Sequence, residues 1–302
     1  MNSEPAADDS RFGGLRLLTT GPAGGAPARM LVVLLPGAAL PAEFWQEVPA
    51  LLPQDLVVAV DRRAQETASS AKVPLLREQT QELIDALDSL RAQPEAAGLP
   101  LLLVAHSMAA FAAEAVIRLR PELVAGLVLV DPSLAVALKL PRPMAACRLP
   151  GTGVPLLAAA CQSATRTLLR LSPVRQAVSG LLLTAVRHEL RRPEALDQET
   201  WEQAWVPPTA LAARAAEFFA YSGQLDELIA LRQSDVAAVA VPTILLEAAP
   251  AASAAEVRHT YHAFSNLRIR HVRSAGHLVA LDAPGVVARA IDDLGRVLNG
   301  LR

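Results

Sequence analysis

The chain has 302 residues, 52% of them hydrophobic and 19% charged, with a formal net charge of −2. That balance is too apolar for a disordered chain, and it lacks the basic excess that neutralises phosphates, so a nucleic-acid partner is not expected. No apolar stretch reaches the roughly 18 uncharged residues of a membrane span. The acidic start MNSEPAADDSRF has neither the basic region nor the apolar core of a secretory signal, so a cytoplasmic protein without stable membrane insertion is expected.

In chain order, residues 1–28 close on the linker-like TTGPAGGAPAR and read as an N-terminal extension. Short apolar runs then recur at MLVVLLPG (30–37), DLVVAVD (55–61), PLLLVAHS (100–107), VAGLVLVD (124–131), VPTILLEA (241–248) and NLRIRHV (266–272). Most are apolar at consecutive positions, the pattern of strands covered on both faces of a parallel sheet. Helical spacing fills 41–52, 74–92, 108–119, 254–264 and 284–299. The alternation predicts an α/β architecture with a mostly parallel, doubly wound sheet.

The alternation lapses from 133 to 237. That stretch is rich in Ala, Leu and Arg at helical spacing and reads as a helical insertion between two parts of one core, 29–132 and 238–302. It carries five of the eleven aromatic residues, Trp201, Trp205, Phe218, Phe219 and Tyr221. These either fill the insertion's own core or, for Trp201, Trp205 and Phe218, line an apolar substrate pocket together with Ala39. Cys147 and Cys161 come without a ligand cluster, so neither a metal site nor a bridge is expected of them.

In an open parallel sheet, reactive groups collect at the carboxyl ends of the strands. Ser107 follows one apolar run, Asp131 ends the next, and His277 lies just past the last, in SAGHLVALDAPGVV. These types belong together chemically. A serine hydroxyl needs a base to take its proton, an imidazole does so near neutral pH, and a carboxylate fixes the imidazole's tautomer. The oxyanion that forms needs donors already in place. The amide of Met108, at the start of the helix after Ser107, is one candidate, and Ala38 in LLPGAALPAEFW is the other, with Ala39 next to it.

At these residues the sequence resembles the α/β-hydrolase superfamily. The resemblance runs over nearly the whole chain after residue 29. It rests on LLPGAALPAEFW for the oxyanion loop, VVAVDRRAQ for the following strand and turn, VAHSMA for the nucleophile elbow, and GLVLVDPS and SAGHLVALDAP beyond it. The VDPS stretch is similar to that of cap-bearing bacterial serine hydrolases. The resemblance implies an eight-stranded, mostly parallel sheet, a helical cap and no cofactor. It further implies an esterase-like activity on a small to medium lipophilic ester or related acyl bond.

Two departures stand out. The usual G-x-S-x-G elbow has Ala105 and Ala109 here, and one alternative for Ser107 is an ordinary helix N-cap. The acid often follows the strand VPTILLEA, where this chain has AAPAASAAE and no aspartate. Asp131 takes the other placement, one strand earlier, or is only a turn residue before Pro132. Glu247 is the competing acid. Haloperoxidase-like, thioesterase or amidase chemistry on the same fold, and a non-catalytic binding protein, remain alternatives. His106 reads as a packing residue and Asp282 as the start of the last helix. The sequence does not specify the oligomeric state.

Overall fold

The apolar runs form one sheet. A computed structural model describes residues 8–12, 15–61, 75–134, 167, 171–205, 208–248 and 254–300. Its strands are β1 (Asp8–Phe12), β2 (Leu15–Thr20), β3 (Leu31–Leu35), β4 (Leu56–Asp61), β5 (Leu101–His106), β6 (Gly126–Val130), β7 (Thr243–Glu247) and β8 (Leu267–His271). They lie in the order β1-β2-β4-β3-β5-β6-β7-β8. From β4 to β8 every pairing is parallel, and β1 and β2 add antiparallel at one edge.

Every residue of β3 to β7 is buried, because helices cover both faces. Alternate residues serve opposite cores. Leu31, Val33, Leu35, Leu101 and Leu103 face α1 (Leu76–Arg91) and α2 (Ala109–Leu119). Val32, Leu34, Leu102, Val104 and Val128 face Phe44, Trp45 and α8 (Pro284–Gly300).

Among the described residues, three further helices separate β6 from β7 in the chain: α3 (Ser172–Glu189), α4 (Gln198–Trp205) and α5 (Pro208–Ser234). After β7 come α6 (Ala254–Thr260) and the short α7 (Val279–Asp282). Helix α5 packs against α1 and α2. Its far end is fastened by Arg232, whose Nε and Nη2 donate to Glu114 of α2 at 2.8 and 2.6 Å, while Arg118 Nε donates to the same carboxylate at 2.9 Å.

Two expectations need correction. The supposed N-terminal extension 1–28 contributes β1 and β2, with Leu15 and Leu17 buried in the core. These strands are short, and β2 shows its alternation over only a few residues before Gly21-Pro22, so the linker signal dominated. The helical pattern at 41–52 is two 3₁₀ turns, Ala42–Trp45 and Pro49–Leu51. Pro49 has no N–H for a helical bond, and its ring blocks a continuous helix through that point.

Candidate active site

The turn from β5 into α2 carries the elbow. Ser107 has a φ of 52°, in the left-handed region that costs a non-glycine residue about 1–3 kcal/mol. Surrounding bonds hold it there. Its amide donates to Val130 O at 3.1 Å, and its carbonyl accepts from Ala110 N at 3.2 Å and Ser133 N at 3.1 Å. Ala105 and Ala109 have ordinary negative φ, so this elbow asks only for space at those positions. Both methyls are fully buried in a cluster that includes Ala110, Ala112 and Ala113.

Strand ends bring the other two groups to Ser107. Asp131, also left-handed with φ 41°, leaves β6, and its amide donates to Leu246 O of β7 at 2.7 Å. His277 sits in the loop after β8. Its Nδ1 lies 2.6 Å from Asp131 Oδ2 and its Nε2 3.1 Å from Ser107 Oγ. A carboxylate only accepts, so Nδ1 carries the proton and Nε2 is left to accept from the serine hydroxyl. The second oxygen of Asp131 accepts the Ala248 amide at 2.9 Å, which fixes the carboxylate plane.

Several contacts position this relay that the sequence reading did not assign. His106 is fully buried, yet it does more than pack: its Nε2 donates to the carbonyl of His277 at 2.9 Å, and its ring lies 4.7 Å from the His277 ring. Asp282 ends α7 and does not start α8. One oxygen accepts the amides of Arg191 and Arg192 at 2.8 and 3.0 Å, and the other accepts Gly276 N at 2.8 Å, next to His277. The Asp-Ala-Pro pattern pointed to a helix cap, and nothing local announces a bond to residues about ninety positions earlier. Ser133 places its Oγ 3.4 Å from that of Ser107. Tyr221 of α5 stacks edge-on against Phe111 with ring centroids 5.3 Å apart, and burial pushes its hydroxyl up to about 12, tempered by the Ser133 hydroxyl.

The amides of Met108 and Ala38 have no acceptor among the described residues. Met108 stands at the N-terminus of α2, where the helix dipole favours negative charge. Gly37, just before Ala38, is required by space: a Cβ there would lie 2.6 Å from His106 Nδ1 and 3.0 Å from Ser107 Cβ. The amide of Ala39 is engaged, donating to Glu217 Oε2 at 2.8 Å.

Of the remaining expected residues, Glu247 bonds elsewhere. Its Oε2 is 2.8 Å from Nδ1 of His271, its neighbour across the β7–β8 pair. Trp201 is fully buried and belongs to the apolar cluster of Phe44, Trp45, Leu183 and Leu196, which joins the insertion to the sheet's own core and is not a separate core of the insertion. The side chains of Trp205 and Phe218, and all of Cys147 and Cys161, lie outside the described residues. Among the described residues no group of three His, Cys, Asp or Glu side chains is placed to hold a metal ion.

The sequence profile described as "Alpha/beta hydrolase family" matches residues 32–290. The chain belongs to the alpha/beta hydrolase family. No curated protein matches this family member. Solved structures do. Wild-type Cfl2 from Burkholderia cenocepacia is 19% identical, with 95% of this chain and 94% of that one covered and a TM-score of 0.68. The epoxide hydrolase CorEH is 14% identical, covers 98% and 99%, and gives a TM-score of 0.67. A thermophilic esterase from Thermogutta terrifontis is 20% identical, covers 94% and 93%, and gives 0.60. At these identities the likeness is one of fold, shared by family members whose names differ in chemistry. No helix among the described residues is long and apolar enough to cross a membrane.

Proposed function

We propose that the protein is a serine hydrolase of a carboxylic ester or a related acyl bond, acting through an acyl-enzyme. The observation that carries this reading is the single imidazole shared by Ser107 Oγ at 3.1 Å and Asp131 Oδ2 at 2.6 Å. Ser107 attacks the substrate carbonyl while its proton passes to His277 Nε2, and Asp131 stabilises the imidazolium. The developing oxyanion is held by the N–H groups of Met108 and Ala38. Collapse of the tetrahedral intermediate breaks the bond to the leaving oxygen, which takes the proton from His277. Water then attacks the acyl-serine, with His277 as the base. A proton returns to Ser107 as the carboxylic acid departs. The route calls on no cofactor.

A displacement at carbon by an enzyme carboxylate would need Asp or Glu at the elbow, and residue 107 is serine. In this reading the insertion 133–237 caps the strand ends of the core and, with Ala39, shapes the pocket for a small to medium lipophilic acyl or alcohol group. The test is labelling by a fluorophosphonate probe, together with turnover of p-nitrophenyl esters of increasing chain length. Wild type is expected to label and to turn over, and Ser107→Ala to do neither. A wild-type protein inert to the probe and to every ester overturns the reading.

A further inference from the structure

We infer that Glu217, on helix α5, is a positioning residue that holds the loop bearing the proposed oxyanion donor in its working shape. Among the described residues three non-glycine positions have left-handed φ: Ala39 at 59°, Ser107 at 52° and Asp131 at 41°. Each adopts a conformation that persists only where its surroundings over-determine it. For Ser107 and Asp131 the sheet does this, since their amides donate to the carbonyls of Val130 and Leu246 on the neighbouring strands. The amide of Ala39 meets no strand carbonyl. It donates to the carboxylate of Glu217, 178 residues further along the chain.

The local turn explains why an outside hold is needed. Leu40 N donates to Gly37 O at 3.2 Å, closing a four-residue turn with Ala38 and Ala39 at its centre. Left-handed φ at the third position of such a turn is the conformation glycine adopts without cost, and this chain has alanine there. The intrinsic preference of Ala39 is therefore to leave that conformation. Leaving it rotates the peptide units of the turn and carries the Ala38 amide off its direction.

A bond from a backbone N–H to a carboxylate is charge-assisted and opposes that rotation. The carboxylate is well placed to do so. Glu217 is only 3% exposed, and its helix is fixed by the Tyr221–Phe111 contact and by Arg232 on Glu114. The insertion thus reaches the loop after β3 through one side chain. What the bond requires of residue 217 is an acceptor oxygen, not a charge.

The kinetic half of this inference rests on the hydrolase reading above, and the structural half does not. Two variants separate them. Hydrogen exchange followed by mass spectrometry on peptides spanning 36–41 is expected to speed up by about tenfold or more in Glu217→Ala and to stay near wild type in Glu217→Gln, whose amide oxygen still accepts. With a p-nitrophenyl ester, Glu217→Ala is expected to lower kcat by roughly ten- to hundredfold. That is less than the 10²–10³ seen when a whole oxyanion donor is deleted. KM should stay within about threefold, and affinity for a boronic-acid analogue of the tetrahedral state should fall in step with kcat. Glu217→Gln should recover activity to within about threefold of wild type.

Unchanged exchange at 36–41 in Glu217→Ala overturns the inference whether or not the protein turns over esters. So does a loss confined to KM, or a Glu217→Gln variant as impaired as the alanine. Absence of wild-type turnover overturns the hydrolase reading instead, and the exchange measurement then decides this one.

Discussion

The replacement Asp131→Asn tests the relay at its most constrained point. Asp131 uses both oxygens as acceptors, one for His277 Nδ1–H at 2.6 Å and one for the Ala248 amide at 2.9 Å. Asparagine offers one acceptor and one donor in nearly the same shape, so it cannot satisfy both. If its oxygen takes the Ala248 amide, its NH₂ faces His277 Nδ1, which must then be unprotonated. The imidazole proton moves to Nε2, and the base that Ser107 needs is gone. If its oxygen takes His277, the Ala248 N–H meets an N–H and loses a bond to a charged acceptor, worth about 1.5–3 kcal/mol.

Either way the carboxylate no longer stabilises the imidazolium. Two unit charges about 4 Å apart at an effective dielectric of 20 attract by about 4 kcal/mol. A loss of about 4 kcal/mol corresponds to a fall of roughly 10³ in kcat, and the wrong imidazole tautomer deepens it. The assay is steady-state hydrolysis of p-nitrophenyl butyrate, with the thermal midpoint measured alongside to establish folding. Glu247→Gln is the companion variant. Because Glu247 is spoken for by His271, its kcat should stay within about threefold of wild type, the usual range for a site remote from the chemistry. A folded Asp131→Asn enzyme within tenfold of wild type, or a Glu247→Gln enzyme that falls as far, would refute the assignment of Asp131 as the acid.

Three further outcomes follow from the same contacts. Gly37→Ala sets a Cβ 2.6 Å from a fully buried imidazole that cannot swing aside, so stability should drop by about 1–3 kcal/mol in urea unfolding and ester turnover should fall with it; an unperturbed midpoint contradicts the crowding. Asp282→Ala strands three backbone amides, two at Arg191 and Arg192 and one at Gly276, and should cost about 3 kcal/mol or more while loosening the His277 loop; a neutral effect on urea unfolding would count against it. Tyr221 has its hydroxyl raised to about 12 by burial, so the folded state keeps the proton that the unfolded chain gives up near pH 10. Its contribution is therefore complete below pH 10 and lost between about pH 10 and 12, and the Tyr221→Phe variant should lack that part of the alkaline decline in thermal midpoint that wild type shows.

The parts of the fold written in local pattern were readable from the chain. Runs such as LVVLL at 31–35 and GLVLV at 126–130 have no polar face, so only a doubly covered strand can use them. Ser107 and Asp131 could be picked out because each stands one step past such a run, and His277 because it lies in the loop six residues past the end of β8, where a parallel sheet exposes its strand ends. What was not legible is what one residue does for another across the fold. The pairing of Glu247 with His271 follows from the register of β7 on β8, which the composition of neither strand specifies. Glu217 sits mid-helix among alanines and phenylalanines, and Asp282 reads as a cap; their partners at Ala39 and Gly276 come from folding segments about 180 and 6 positions away, respectively, into one place.

The alanines at the elbow fit the same logic. Glycine at an elbow can serve either dihedral freedom or room. Here the dihedral cost falls on Ser107 itself, with φ 52°, while Ala105 and Ala109 stay in ordinary backbone regions. Only room remains to be provided, and both methyls are buried in a cluster that also holds Ala110, Ala112, Ala113 and Ala115 of α2, the helix that Ala109 begins. The strain is thus distributed over Ala39, Ser107 and Asp131, at the ends of β3, β5 and β6, the three strands whose tips meet at the relay. At about 1–3 kcal/mol each, the three together approach the whole net stability of an ordinary domain, about 5–15 kcal/mol. They can persist only if each is held by bonds formed on folding. Adjacent strands hold two of them, and α5 holds the third, so seating that helix against α2 is part of building the loop after β3.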